Sequence, residues 1–451
     1  MSLPELHRSI GLGRATAMVV GIIIGASIFV QPSAITASVP SLSGILAVWG
    51  VAGALSLIGA LVVAEMASAW PRTGGVYVFL RETYSPVLGF LWGWAMFWTV
   101  HTGIIAAIAM IFARYMGTFV PLDDTGIRVT AMAGVIGLSV VNYRGVGPGA
   151  AVQASLTIVK VLAILAIVAI ALVAGVAVSS TAVPAVPGDD ASSVVTPSAF
   201  FDALVAGLFA YGGWHMVSYA AEETVDPVRT IPRALMIGTV LITVLYVIVN
   251  AAYLSVLPLA AVSSSTAVAA DFADETIGGS GRELMSAVVV LSTLGAMNGV
   301  ILAGGRLYLA MARDGLLFQW TAEVHPTYRT PHRSIMLQAA WACVLIGTGS
   351  YKVLFTRAVY TEWIFFGLMA AGLFVVRRRA DYAPAYRMWG FPMLPALFVI
   401  STIAIVVNQV VTEPMESAIG LLLVLSGVPV YILWTRRVAP ARTRQAVDGS
   451  C

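Results

Sequence analysis

The sequence predicts an all-α membrane protein with twelve spanning helices. Three observations lead there. Hydrophobic residues make up 59% of the chain and charged ones only 10%, against roughly 45–50% and 25% in a soluble domain. Mean hydropathy is +0.91. The apolar residues fall in runs near the ~20 that a helix needs to cross the hydrocarbon core, too long for barrel strands of about 9–11 alternating residues. The first run has no small-residue cleavage site followed by a soluble domain, so it reads as a span rather than a cleaved leader.

The first span, 15–38, contains "GIIIGASIF" at 21–29, with Gly21, Gly25, Ala26 and Ser27 in its middle. Glycine costs a helix interior about 1 kcal/mol relative to alanine. Backbone groups freed in lipid must find partners, since no water is there to take them. An unwound segment with a use is expected. The second span covers 43–68. The third, 86–115, has Gly89 and Gly93 at the spacing that lets helices approach closely, and His101 as a lone structural histidine. The fourth covers 126–143. The fifth, 150–176, carries Lys160 near its middle, in "ASLTIVKVLAI". A lysine at that depth is costly and needs a partner or a cavity. The sixth, 199–221, holds a second interruption, "GLFAYGGWH" at 207–215. Then come 234–257, 284–311, 333–350 with Cys343, 354–376 with Glu362, 391–411 and 417–435.

Lysine and arginine set the orientation. With the N-terminus inside, the inner face collects Arg8, Arg14, Arg72, Arg81, Arg144, Arg229, Arg233, Arg306, Arg313, Arg329, Arg333, Arg377, Arg378, Arg379, Arg387, Arg436, Arg437, Arg442 and Arg444. The outer face keeps Arg114, Arg128, Arg282, Lys352 and Arg357, beside Asp123, Asp124, Asp189, Asp190, Asp271, Asp274 and Glu275. The sequence pI near 8.9 thus reflects an inner membrane surface, which excludes a nucleic-acid partner. The two cysteines, Cys343 and Cys451, cannot build a disulfide framework, and no zinc-ligand spacing exists. No metal or cofactor is expected.

The two interrupted spans lie five apart, so they run in opposite directions. Glycine breaks at matched places in two opposed halves are the best sequence pointer to a transporter site. "GIIIGASIF" resembles the first-span motif of the amino acid–polyamine–organocation transporters. "LFAYGGWHMVSYAAEETVDPVRTIPRAL" at 208–235 resembles the sixth-span signature of their L-type amino acid transporter branch. "GAMNGVILAGGRLYLAMARDGLLF" at 295–318 resembles its eighth span, and "PRTGGVYVFL" at 71–80 its loop after the second. The resemblance implies a five-plus-five inverted repeat, 1–178 and 179–380, with two further spans over 381–438 and a cytoplasmic tail at 439–451.

An amino acid brings a carboxylate and an ammonium out of water together. The start of a half-helix offers N–H groups and a positive dipole end to the carboxylate, and the end of the preceding half-helix offers carbonyls to the ammonium. Around Gly25, the N–H groups of Ala26, Ser27 and Ile28 are assigned to the carboxylate, and the carbonyls of Ile22 and Ile23 to the ammonium. At the second break, around Gly212, the carbonyls of Phe209 and Ala210 help, and Phe209 matches the family's gating aromatic. Ile104, Ile108, Trp214 and Trp363 suggest a partly apolar pocket. His215 and Glu362 match its side-chain end, where they hydrogen-bond a polar substrate, share a proton or simply brace two spans. Many members carry Gly where Ser27 stands. The resemblance places Lys160 where sodium-coupled relatives of the fold hold a sodium ion, tying spans one, five and eight as the coupling residue, either carrying a proton or serving as a fixed charge; Gly304 and Gly305 stand where relatives often have hydroxyls, so Lys160 is expected to lean on span-one carbonyls near Gly21. Glu222 and Glu223 resemble an inner gate, with Arg72 or Arg313 as partner.

The expected function is sodium-independent secondary transport of L-amino acids, neutral ones first, by exchange or proton symport. Cationic amino acids or polyamines are the alternative substrates. A non-transporting sensor is a different class. So is an intramembrane enzyme, but His101, His215, Glu65 and Glu362 are too scattered for a nucleophile with its base or a metal cluster. The partners are a small-molecule substrate and the lipid bilayer. Eukaryotic members of the branch bond a single-span subunit through a cysteine in the loop after span three. "GTFVPLDDTGIR" at 117–128 has none, so no disulfide-linked subunit is expected. Short loops suit a bacterial inner-membrane protein with both termini cytoplasmic.

Overall fold

A computed structural model describes residues 6–178, 195–349 and 351–436. Asp189, Asp190, Arg437, Arg442, Arg444, Cys451 and the tail at 439–451 lie outside the described residues, as do the side chains of Lys352 and Arg357.

The first apolar run forms two helices, α1 (Leu12–Ile23) and α2 (Ser27–Ser38), bent 44° across the break. Helix α3 (Leu42–Ala69) starts where the Ser41 hydroxyl accepts the Gly44 N–H, a side-chain cap that satisfies one free helix-end donor. After α4 (Val76–Thr83), the third run is α5 (Pro86–Ala95), a π-helical turn over Met96–Val100, and α6 (His101–Met116). Next come α7 (Asp124–Tyr143), capped by Asp123, and α8 (Val146–Val178). The sixth run is α9 (Pro197–Ala210), a turn at 211–213, and a 3-10 helix over Trp214–Glu223. Then follow α10 (Pro227–Val256), α11 (Leu259–Ser264), α12 (Val268–Ile277) and α13 (Gly281–Arg313). The chain closes with α14 (His332–Thr348), α15 (Tyr351–Val376), α16 (Met393–Thr412) and α17 (Pro414–Leu425).

Each apolar run read from the sequence falls on one of these helices or broken helices. Among the described residues, nine helices are long and apolar enough to cross a membrane, or ten if α1 and α2 make one broken span. The sequence reading missed α4, α11 and α12, which are shorter than the ~20-residue window that marks a span.

Burial sorts the helices into a centre and a rim. The most apolar windows of α13 and of Pro86–Met116 are 78% buried, and that of α3 67%; those of α7 and of Pro414–Arg436 are 17%. The rim helices turn large apolar side chains such as Ile136, Ile400, Ile403 and Leu422 outward, as lipid-facing surfaces require. Helix α1 packs against α8, α10 and α13, and α3 runs along α10. A Cβ at Gly93 would overlap Met311 of α13, so that glycine sets the approach of the third run to the eighth.

One end of the bundle is tied by backbone and charge. The N–H groups of Ser9 and Ile10 donate to the Glu223 carbonyl at 2.9 and 3.0 Å, and the Val225 N–H donates to the Ile10 carbonyl at 2.9 Å. Arg81 and the Tyr77 hydroxyl both reach Asp314. Buried Glu65 takes Arg377 at 2.5 and 2.8 Å and the Met388 N–H at 2.8 Å.

Candidate functional site

Both breaks open onto one cavity of ≈ 40 Å³ in the middle of the bundle. At the first, Ile24 has ψ 84 and leaves the helix. The freed carbonyls find partners within the protein, as a lipid environment demands. The Ser292 hydroxyl donates to the Ile24 and Gly25 carbonyls at 3.3 and 3.1 Å. Helix α2 restarts at Ser27, and its first N–H groups have no acceptor within the helix itself. Its positive dipole end therefore lies at the cavity wall that Gly25 and Ser27 line.

At the second break, Gly213 takes φ +94, a left-handed conformation that favours glycine. Space enforces the same choice, because a Cβ there would overlap Ile22 of the first break. The two unwound segments thus touch. Tyr246 of α10 joins them: its hydroxyl lies 2.9 Å from the Ile23 carbonyl and 3.2 Å from the Ala210 carbonyl.

Lys160 of α8 donates to the carbonyls of Gly21 at 2.9 Å, Ile24 at 2.6 Å and Ser292 at 3.0 Å. An ammonium has three donors, and all three are used. The lysine links α8, α1 and α13. Gly304 and Gly305, expected beside it, stand elsewhere: Cβ atoms there would meet Gln338 and Ile335. Ser292, about three turns nearer the start of α13, is the hydroxyl residue at the lysine. Sequence distance along a long helix hid that register.

The cavity gathers Ile22, Ile23, Gly25, Ser27, Ile104, Ile108, Phe209, Gly212, Trp214, Glu362 and Trp363 from the expected set. Ala26, Ile28, Ala210 and His215 are buried but do not line it. Ala26 and Ile28 can act only through backbone, Ala210 offers its carbonyl to Tyr246, and His215 stands behind Glu362, Nε2 to Oε1 3.5 Å. Gly213 of the second break motif also lines the cavity, as do Leu208, Met216, Val300 and Phe366, which were not assigned to the site from the sequence, nor was Tyr246. An aromatic inside an apolar run leaves no mark in hydropathy. The cavity's two ends differ in chemistry: backbone polar groups at the breaks, and apolar side chains with one carboxyl at the other.

The gate pairing differs in part from expectation. Arg313 meets Glu222 at 2.8 Å, and Glu222 also accepts the Thr73 N–H at 3.2 Å. Arg72 instead meets Glu82 at 3.2 Å, because the glycine turn at Gly74 and Gly75, φ +118 and +50, brings α4 back beside it. Glu223 takes Arg306, which was expected on the inner surface and is fully buried. That arginine looked like a loop charge because it stands near the polar end of the eighth run.

One family and three relatives match this chain. The model of the amino acid permease family matches residues 10–432. The serine/threonine exchanger SteT of Bacillus subtilis (strain 168) is 30% identical over 441 residues, 96% of this chain and 98% of that one. The human large neutral amino acids transporter small subunit 2 is 30% identical over 435 residues, 95% and 80% of the two chains. The human cystine/glutamate transporter is 29% identical over 442 residues, 96% and 87%.

Proposed function

We propose that this chain, which belongs to the amino acid permease family, is a sodium-independent carrier of neutral L-amino acids that works by alternating access. The observation that carries the reading is the single cavity shared by the two breaks. The N-terminus of α2 receives the substrate carboxylate near Ser27, with the N–H groups of Ala26 and Ile28 beside it. The carbonyls of Ile22, Ile23, Phe209 and Ala210 receive the ammonium. Ile104, Ile108, Trp214 and Trp363 surround a small apolar side chain, and Phe209 covers it. The names of the exchanger SteT and of the large neutral amino acids transporter fit this substrate class.

Lys160 takes the place of a coupling cation. With three carbonyls on its ammonium, it holds the break open and the bundle together without sodium. Arg306–Glu223 and Arg313–Glu222 close the inner side. The full architecture is twelve spans in a five-plus-five inverted repeat with two added helices. Both termini face the cytoplasm of a bacterial cell, and no subunit is held by disulfide, since 117–128 carries no cysteine.

Proteoliposomes free of sodium test this. Labelled L-alanine should enter vesicles preloaded with unlabelled L-alanine. Absence of counterflow with alanine, serine and leucine sinks the neutral-carrier reading. Glu362 on the cavity wall favours one second reading, a cationic substrate, which counterflow of lysine in place of alanine would reveal.

A further inference from the structure

Behind the side-chain end of the cavity stands a group of ionisable side chains that substrate binding does not account for. Glu362 Oε1 and His215 Nε2 are 3.5 Å apart, with side chains 6% and 0% exposed. Neither atom makes a hydrogen bond, nor does His215 Nδ1. The row continues inward. The His215 ring lies 5.5 Å from that of Tyr219. Tyr219 lies 6.2 Å from His101, and His101 6.4 Å from Tyr308. His101 Nδ1 and the hydroxyl of Tyr308 are also buried without a hydrogen-bond partner, and the Tyr219 hydroxyl faces the side chain of Trp92. His101 Nε2 lies 3.1 Å from the carbonyl of Val300, which lines the cavity. Trp92, Trp214 and Phe366 are the remaining ring neighbours of His215. Among the described residues, no lysine or arginine forms an ion pair with Glu362.

A pair that only braced two helices would be hydrogen-bonded, because an unpaired buried polar group costs about 1–3 kcal/mol. A site for a substrate side chain would need Glu362 alone; Tyr219, His101 and Tyr308 do not line the cavity. A buried carboxylate without a fixed countercharge takes a proton instead. Chains of acids and histidines inside a membrane mark proton relays. Lys160 is a poor rival for that role. All three of its hydrogens are held by carbonyls, and losing one would take a donor from a buried carbonyl.

We propose that Glu362 and His215 form a proton-binding pair that couples the import of one amino acid to one proton, with Tyr219 and His101 as the hydrogen-bond links behind it. The proposal rests on the carrier reading above. The proton joins the pair from the outward-open cavity as the zwitterion binds, and leaves after the cavity opens inward. No covalent bond changes apart from the O–H or N–H that holds the proton. Each cycle therefore moves one net positive charge.

The test uses the full chain in sodium-free proteoliposomes with a trapped pH dye and labelled L-alanine, the membrane voltage clamped at zero. An acid exterior of about one pH unit should support about tenfold accumulation, since one pH unit is one decade of proton activity. External alanine should acidify the lumen by one proton per alanine. Counterflow in alanine-preloaded vesicles, together with no lumen acidification when external alanine is given to empty ones, overturns the proposal and leaves the carrier reading standing. No counterflow at all removes both. In Glu362→Gln the ratio of protons to alanine should fall to zero, and His215→Asn, which does not alter the cavity lining, should give the same ratio. A ratio of one in either variant overturns the placement of the proton. If neither variant transports, alanine-dependent proton uptake by the wild-type protein in unbuffered detergent decides. Uptake there that disappears in Glu362→Gln of unchanged thermal stability supports the pair; uptake that persists, or is absent from the wild type, overturns it.

Discussion

Arg306 and Glu223 form a two-point ion pair, Nε to Oε2 2.9 Å and Nη2 to Oε1 3.1 Å, with both side chains fully buried. One partner comes from the last quarter of α13 and the other from the last residue of the broken sixth run. The pair joins two elements that frame the cavity, and it lies where removal of either charge leaves the other stranded.

Arg306→Met and Glu223→Leu should each destabilise the fold by about 3–5 kcal/mol, the range for an uncompensated buried charge. Thermal unfolding of the detergent-solubilised protein checks this. The double variant Arg306→Met with Glu223→Leu should be less damaged than either single one. An additive double-variant loss would show that the two charges do not act as a pair.

Lys160→Met removes donors from three carbonyls at once. Each hydrogen bond from a charged group is worth about 1.5–3 kcal/mol, so counterflow should fall at least about tenfold. Loss should come mainly through the rate, since Lys160 does not line the cavity. Counterflow near the wild-type level would show that the break keeps its shape without the ammonium.

Tyr246→Phe deletes one hydroxyl that lies on both breaks. At about 0.5–1.5 kcal/mol for an ordinary hydrogen bond, half-saturation for alanine should shift by roughly two- to tenfold. Measured kinetics of counterflow decide, and an unchanged half-saturation and rate would remove Tyr246 from the site.

Gly213→Ala forces a side chain onto φ +94 and into Ile22. Strain of about 1–3 kcal/mol together with overpacking of about 1–3 kcal/mol should abolish transport. Gly103→Ala, on α6 with nothing within 4 Å of its new methyl, is the matched control and should keep it. Equal activity of the two variants would show that the breaks need not touch.

Local features were legible in the sequence and cross-helix register was not. The runs of apolar residues and the glycine clusters at 21–25 and 212–213 announce spans and breaks, because length and glycine act on the chain where they stand. Most of the cavity lining followed from those two motifs. Tyr246, Ser292 and Arg306 escaped because their roles come from which turn of a neighbouring helix they face. Arg72 went to Glu82 and Gly304 to Gln338 for the same reason: hydropathy fixes a span within a turn or so, while a hydrogen bond needs a fraction of one.

The backbone tie between Ser9–Ile10 and Glu223–Val225 has a kinetic meaning. To tilt the start of α1 away from the sixth run, the protein must unzip those main-chain contacts while also drawing Arg306 off Glu223. At the other end of α13 the ion pairs of Arg282 with Asp271 and Asp274 lie at the exposed surface rather than buried. The two half-cycles should then run at unequal speeds, with opening at this tied end the slower. A carrier built this way behaves as a rectifier. It samples substrate readily from one side, releases it reluctantly on the other, and shows different half-saturation concentrations at its two faces.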